Sequence, residues 1–234
     1  MKIYVFAGPN GSGKSTITNK FVQANGLENI HYINADNIAR ILFSHIENYD
    51  DRNMAAAIYA EQERQRCLNV KQDFMFETVL STDRNLNFLQ KAKSLGASIA
   101  GVYVLTRDPQ INIKRVCNRI KDGGHGVPED KIVSRYYRCL QLLPNFVDVV
   151  DRLMLYDNTE NLLLTLVKED GLLTAMTNTN DDSWLEENII APLKAKGYVF
   201  NYKNNVKFDD EDIYNLNILN SKQPIVEEIN RKSE

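Results

Sequence analysis

Apolar positions in this chain fall into short continuous runs separated by stretches with helical spacing. Lys2 to Ala7 is such a run, ending at Gly8-Pro9-Asn10-Gly11-Ser12-Gly13, after which Ile17, Phe21 and Val22 repeat at helical period. This predicts strand, glycine loop, helix. Ile30 to Ile33 is a second short strand, with helices predicted at about 37–46 and 53–71 and a third strand at Phe74-Met75-Phe76. A helix from Arg84 to Leu95 stops at Gly96, and Ile99 to Leu105 is apolar almost throughout, as in a strand covered on both faces. Asp108, Pro109 and Gly123-Gly124 bracket a helix over 109–121, and Pro128 with Glu129 and Asp130 opens another reaching about Leu143. Leu153 to Tyr156 is a fifth strand. Leu162 to Val167 and Leu172 to Met176, divided by Lys168-Glu169-Asp170-Gly171, form a hairpin at the sheet edge.

Alternating strands and helices with short links predict an α/β fold: a three-layer sandwich with a mostly parallel five-stranded sheet, helices on both faces, and the edge hairpin. Beyond it Thr177 to Asp182 is polar, and Trp184, Ile189 and Leu193 share one helix side before a stretch rich in Asn, Asp and Glu. The expected organisation is a main domain over 1–177, with residues about 107–138 as a subregion of it, and a C-terminal appendage over 178–234 to which the sequence assigns no role.

The composition narrows the function. The 234 residues are 43% apolar, enough for one sizeable core, and 28 Lys+Arg against 31 Asp+Glu give a net charge of -3. A protein living on bulk nucleic acid is usually basic, so no nucleic-acid partner is expected. Cys67, Cys117 and Cys139 are far apart and odd in number, which predicts neither a disulfide framework nor a zinc motif. No apolar stretch approaches the ~20 residues of a membrane span, and the chain opens directly on a strand with no targeting signal in view. A cytoplasmic protein without a membrane partner is expected.

The strongest chemical signal is Gly8-Pro9-Asn10-Gly11-Ser12-Gly13-Lys14-Ser15, which fits G-x-x-x-x-G-K-[ST] between a strand and a helix and makes the expected sandwich that of a P-loop NTPase. Backbone N–H groups of such a loop converge on phosphates, Lys14 reaches the outer ones, Ser15 holds Mg2+, and Thr16 is counted with them as nucleotide-binding. The implied cofactors are ATP and Mg2+. Phosphoryl transfer to a hydroxyl also needs a group to deprotonate the acceptor, and carboxylates at strand ends are the candidates. Asp36, after the second strand, is assigned as the acceptor base; the position also suits a helix N-cap. Glu77, after the third, suits the acceptor, the metal or a salt bridge, with Thr78 beside it.

Residues 107–138 hold eight Lys/Arg against four acids, a net +4 that leaves the rest of the chain at -7. Arg115 and Arg119 lie four apart on one predicted helix, and Lys131, Arg135 and Arg138 form a stripe on the next, flanking Gly123-Gly124-His125-Gly126. This pattern predicts a closing lid whose arginines, Arg119 and Arg135 foremost, meet the transferring phosphate and exclude water. A solvated basic face is the alternative. His125 suits either a phosphate contact or a glycine-rich turn, and Tyr156-Asp157-Asn158-Thr159 suits either the nucleotide base or a turn. Tyr136, Cys139 and Leu143 are expected to face the core.

Five segments, in order, resemble the zeta-toxin family of P-loop kinases: FAGPNGSGKST, INADNIA, FMFETVLST, RDPQINIKRVCNRIKDGGHGVPEDKIVSRYYR and LYDNT, and the resemblance extends over residues 3 to about 159. The resemblance implies phosphorylation of a nucleotide-activated sugar such as UDP-N-acetylglucosamine and an antitoxin partner. It matches Lys14 and Ser15 to the phosphate and magnesium residues, Asp36 to the general base, Glu77 and Thr78 to acceptor binding, and Arg119 to a lid arginine. Where toxin members carry a second catalytic arginine, this chain has Gly124-His125-Gly126, and Arg135 is the proposed replacement. A second class of function is an ATP-binding switch that acts through a protein partner, for which the unassigned tail is the motive.

Overall fold

The computed structural model describes residues 1–121, 126–176, 182–203, 208 and 212–216. Five parallel strands form the centre of the sheet: β1 (Lys2–Ala7), β2 (His31–Ile33), β3 (Phe74–Thr78), β4 (Ser98–Leu105) and β5 (Arg152–Asp157). The hairpin of β6 (Leu163–Glu169) and β7 (Leu172–Ala175) continues the same sheet antiparallel to β5, with Asp170 and Gly171 at positive φ in its turn. β8 (Phe200–Tyr202), from the expected appendage, then pairs parallel with β7. The sheet therefore has eight strands in the order β2-β3-β1-β4-β5-β6-β7-β8, where the sequence predicted five with a hairpin closing the edge. The count fell short because β8 is three residues long and lies in a polar stretch, where pairing depends on the β7 edge rather than on local pattern.

Alternation along β1 feeds both faces. Ile3, Val5 and Ala7 join one buried cluster with residues of α3 (Tyr49–Asn69), α4 (Asp83–Ser94) and α6 (Glu129–Val149), whereas Tyr4 and Phe6 join a second with Ile17 and Phe21 of α1 (Lys14–Ala24). α6 runs six residues past its predicted end, straight through Pro144. Loss of one backbone donor there is offset by burial of Phe146, Val147 and Val149, and Lys168 Nζ donates to the Val147 and Val150 carbonyls at the helix end. Tyr136, Cys139 and Leu143 are buried, as their spacing predicted.

The described residues beyond β7 pack on both faces of the sheet. α7 (Ser183–Leu185), a π-helical turn (Glu186–Ile190) and α8 (Ala191–Ala195) bury Leu185, Ile189, Ile190 and Leu193 in the cluster that holds Leu166 and Val149. On the other face Tyr156 OH donates to the Ile213 carbonyl, and Asn25, the C-cap of α1, bonds both Tyr214 O and Leu216 N. Among the described residues no helix is long and apolar enough to cross a membrane.

Candidate functional site

Strand register sets the site. β1 ends between β3 and β4, where chain connections diverge to opposite sides, and Glu77 and Thr78 stand level with Phe6 and Ala7, one step before the glycine loop. Gly8 and Gly13 have φ of 138° and 95°. A side chain at Gly8 would collide with the Val104 carbonyl oxygen, and one at Gly13 with Asn158 Nδ2. The loop must stay bare there.

Two asparagines outside the motif fix the loop. Asn112, buried on α5 (Pro109–Lys121), donates through Nδ2 to the Asn10 carbonyl at 2.6 Å and accepts a hydrogen bond from Thr106. Asn158, just past β5, donates through Nδ2 to the Ser12 carbonyl at 2.8 Å. Sequence reading assigned neither role; it left Asn158 between base contact and turn and did not single out Asn112.

The loop opens on a cleft of about 790 Å³ lined by Asn10, Gly11, Gly13, Lys14, Ser15 and Thr16. Asp36, Glu77 and Thr78 line the same cleft, with Arg115 and Arg119 of α5 and Lys131 and Arg135 of α6. Gly8, Pro9 and Ser12 shape the loop from behind: the Pro9 carbonyl accepts Lys14 Nζ at 2.8 Å, and Ser12 is fully buried. Burial pulls the Lys14 ammonium below the usual lysine range, an effect opposed by the nearby Glu77 carboxylate.

Asp36 does not cap its helix. Asn34 does: its Oδ1 accepts from the backbone N–H groups of Asp36 and Asn37 at 2.9 and 3.1 Å, so α2 (Ala35–Leu42) begins two residues earlier than predicted. Asp36 sits in the first helical turn with its carboxylate on the cleft. Glu77 accepts Ser15 Oγ at 2.9 Å on one oxygen and Tyr32 OH at 2.5 Å on the other, and Asn34 Nδ2 donates to Tyr32 OH at 2.9 Å. Burial and then Glu77 push the Tyr32 phenol well up, so it remains a donor. Thr78 Oγ1 accepts from Leu80 N and Asn85 Nδ2, which shapes the turn after β3.

The basic faces separate into cleft and surface. Arg135 Nη1 donates to Asn10 Oδ1 at 3.3 Å, linking α6 to the loop. Arg138 bonds Ser134 within its own helix and is exposed. Arg107, counted with the lid from sequence, pairs instead with Asp157 at 2.5 Å and bidentately with Asp182, its guanidinium over Trp184. That excess charge ties the C-terminal helix to the end of β5. His125 and Gly123-Gly124 lie outside the described residues. Tyr49, Asp50, Asn53 and Ala57 of α3 also line the cleft; the sequence reading missed the first two because it started that helix at Asn53, whereas Asn48 caps it at Tyr49, and it did not single out the other two.

The donor set fits a triphosphate with a divalent cation. Ser12 Oγ and Arg115 Nη1 are buried without a hydrogen-bond partner, one within the loop and the other on a residue that lines the cleft. Ser15 and Glu77 offer hard oxygen donors side by side, the kind Mg2+ takes.

Residues 2–165, more than two-thirds of the chain, match the family model described as Zeta toxin. No curated protein matches the chain. A chain of the AvrRxo1-ORF1:AvrRxo1-ORF2 complex with ATP aligns with a TM-score of 0.63 at 12% identity, over 80% of this chain and 63% of its own length. A chain of the PezAT chromosomal toxin–antitoxin system of Streptococcus pneumoniae aligns with a TM-score of 0.51 at 14% identity, covering 70% of this chain and 69% of that one. At such identities the likeness is one of fold.

Proposed function

This chain belongs to the zeta-toxin family and is a phosphotransferase, and on that premise we propose that its cleft transfers the γ-phosphoryl group of ATP to a hydroxyl of a small acceptor. The observation that carries the reading is the meeting of Lys14 and Ser15 with Asp36, Glu77, Arg119 and Arg135 in one cleft. A nucleotide switch needs the first two residues; it has no use for a carboxylate that faces the cleft and is free of capping duty.

Asp36 draws off the acceptor's hydroxyl proton as that oxygen bonds to phosphorus and the bond to the β-phosphate oxygen breaks. Lys14, Arg119 and Arg135 balance charge on the phosphoryl oxygens, and Arg115 offers its unpaired Nη1 to the nucleotide phosphates. Ser15, with Glu77 beside it, would hold Mg2+, which supplies charge neutralisation at the phosphates. Tyr32 and Asn34 orient Glu77. The α5 and α6 residues are proposed as a lid, about 107–138, on a catalytic body of residues 1–177, with 178–234 as its appendage.

Family membership makes a nucleotide-activated sugar, UDP-N-acetylglucosamine first, the proposed acceptor. The two neighbours are described as a two-protein complex and a toxin–antitoxin system, and an antitoxin-type partner is proposed for this chain on the same ground. The test is incubation with γ-labelled ATP, Mg2+ and a panel of nucleotide sugars, nucleosides and small metabolites. Label is expected in UDP-N-acetylglucosamine. Tight ATP binding with no label in any acceptor would overturn the kinase reading.

A further inference from the structure

Away from the cleft, three groups from two elements converge at the amino ends of β2 and β3. His31 opens β2, paired in register with Phe74, the first residue of β3, so it lies at the opposite end of the sheet from the phosphate loop. Glu63 and Cys67 stand one turn apart on α3 and face it. The ligand atoms of His31, Glu63 and Cys67 all lie within 4.8 Å of one another, and His31 Nε2 is 3.3 Å from Glu63 Oε2. The His31–Glu63 separation is close to the edge of a tetrahedron whose centre lies ~2 Å from each ligand, and the Cys67 side chain, held only to the wider limit, closes in as the ion binds. Gln72 Oε1, in the turn between α3 and β3, is 3.9 Å from Cys67 Sγ and accepts Arg66 Nη2 at 3.3 Å, so it becomes a fourth donor once that arginine moves away.

We propose that His31, Glu63 and Cys67, with Gln72 Oε1 as the fourth donor, form a site for a borderline-soft divalent metal of the Zn2+ class. The nitrogen, oxygen and sulfur set selects Zn2+ over the Mg2+ of the cleft, which takes hard oxygen donors. Cys67 is buried and His31 half-exposed, so an ion enters from the His31 side and the thiol proton leaves to solvent on binding. Arg66 Nη2 contacts Glu63 Oε2 at 3.1 Å, Gln72 Oε1 at 3.3 Å and Cys67 Sγ at 3.7 Å, so the half-exposed guanidinium has to swing out to solvent as the ion enters, its Nε staying on Glu63 Oε1 as an outer partner. Filled, the site ties β2 to the lower end of α3. β2 carries Tyr32, which positions Glu77, and α3 carries Tyr49, Asp50 and Asn53 of the cleft wall, so the metal fixes two walls of the acceptor side without touching substrate.

The inference does not depend on the kinase reading. The alternative is a His31–Glu63 ion pair beside an inert core thiol, and Co2+ titration of the tag-free full chain separates the two. A thiolate-to-cobalt charge-transfer band in the near ultraviolet, with visible bands of tetrahedral intensity, is expected. Cys67→Ser should abolish the band and Cys117→Ser should leave it. Because Cys67 is buried, His31→Gln supplies a variant at a half-exposed position: it should lose the band, and lose the upward shift in melting temperature that Zn2+ gives the wild-type protein without nucleotide. Absence of the band in excess Co2+, or its survival in Cys67→Ser, overturns the proposal.

Discussion

Ser15 donates its hydroxyl hydrogen to Glu77 at 2.9 Å, joining the last residue of the phosphate-loop motif to a strand end 62 positions away. Glu77 is held on its other side by Tyr32, and Tyr32 by Asn34, which also caps the helix carrying Asp36. A single hydrogen-bonded chain thus runs from the cap of the helix bearing the proposed base to the proposed magnesium residues. Tyr32→Phe breaks it in the middle with little change of shape. It is expected to cost about 1 kcal/mol of stability and to raise the Mg2+ concentration needed for half-maximal transfer severalfold, with nucleotide affinity little changed at saturating Mg2+. A Mg2+ titration of the transfer rate checks this.

The loop anchors give a second expectation. Asn158→Ala removes the donor to the Ser12 carbonyl and opens space beside Gly13, so the loop loses its preset shape while Lys14 and Ser15 remain. Nucleotide affinity should fall about tenfold, roughly 1.4 kcal/mol, read by calorimetric titration. Asn112→Ala, at the Asn10 carbonyl, should act in the same direction and also lower the melting temperature, because Asn112 is buried and bonded to Thr106.

Arg107→Ala tests the attachment of the C-terminal helix. It leaves Asp157, which is nearly fully buried, without its cationic partner and frees Asp182 and Trp184. A stability loss of about 1–3 kcal/mol is expected by chemical denaturation, the exposed part of the guanidinium keeping it below that of a fully buried pair. Arg107→Lys should recover only part of this, since an ammonium cannot make the bidentate contact with Asp182.

Nucleotide binding should show a pH dependence set by Lys14. Burial lowers its affinity for a proton in the free protein, and a bound triphosphate would raise that affinity again. The charged form therefore favours binding, which is at full strength below the free-state pKa. As pH rises above that lowered value, binding takes up a proton and affinity falls by up to about tenfold per pH unit until the bound-state pKa is passed. Calorimetry in two buffers of different ionisation enthalpy measures the proton taken up, and Lys14→Ala should abolish that uptake.

The central fold was legible because each of β1, β3, β4 and β5 is a short apolar run closed by a loop signal, and the phosphate-loop motif orients the first of them. The motif's residues and Asp36 could be named from chain position alone. What escaped were interactions whose partners are distant in sequence. Arg107 belongs with Asp157 and Asp182, which only the folded chain brings beside it, so its charge was counted with the wrong group. Asn112 reads as an ordinary helical polar residue until the loop is packed against it. Asn34 competed with Asp36 for the same cap, and local pattern does not separate two such residues two positions apart. Pro144 marked a helix end that burial of Phe146 and Val147 overrode, and β8 owes its existence to an edge formed elsewhere.

The central claim is that Asp36 acts on the acceptor while the loop acts on the nucleotide. The most direct measurement is γ-phosphoryl transfer by Asp36→Asn beside its nucleotide affinity and melting temperature. The account predicts a rate lower by about 10²–10⁴, nucleotide affinity within about twofold of the wild-type protein, and an unchanged melting temperature. Transfer at the wild-type rate by the folded Asp36→Asn protein would contradict it.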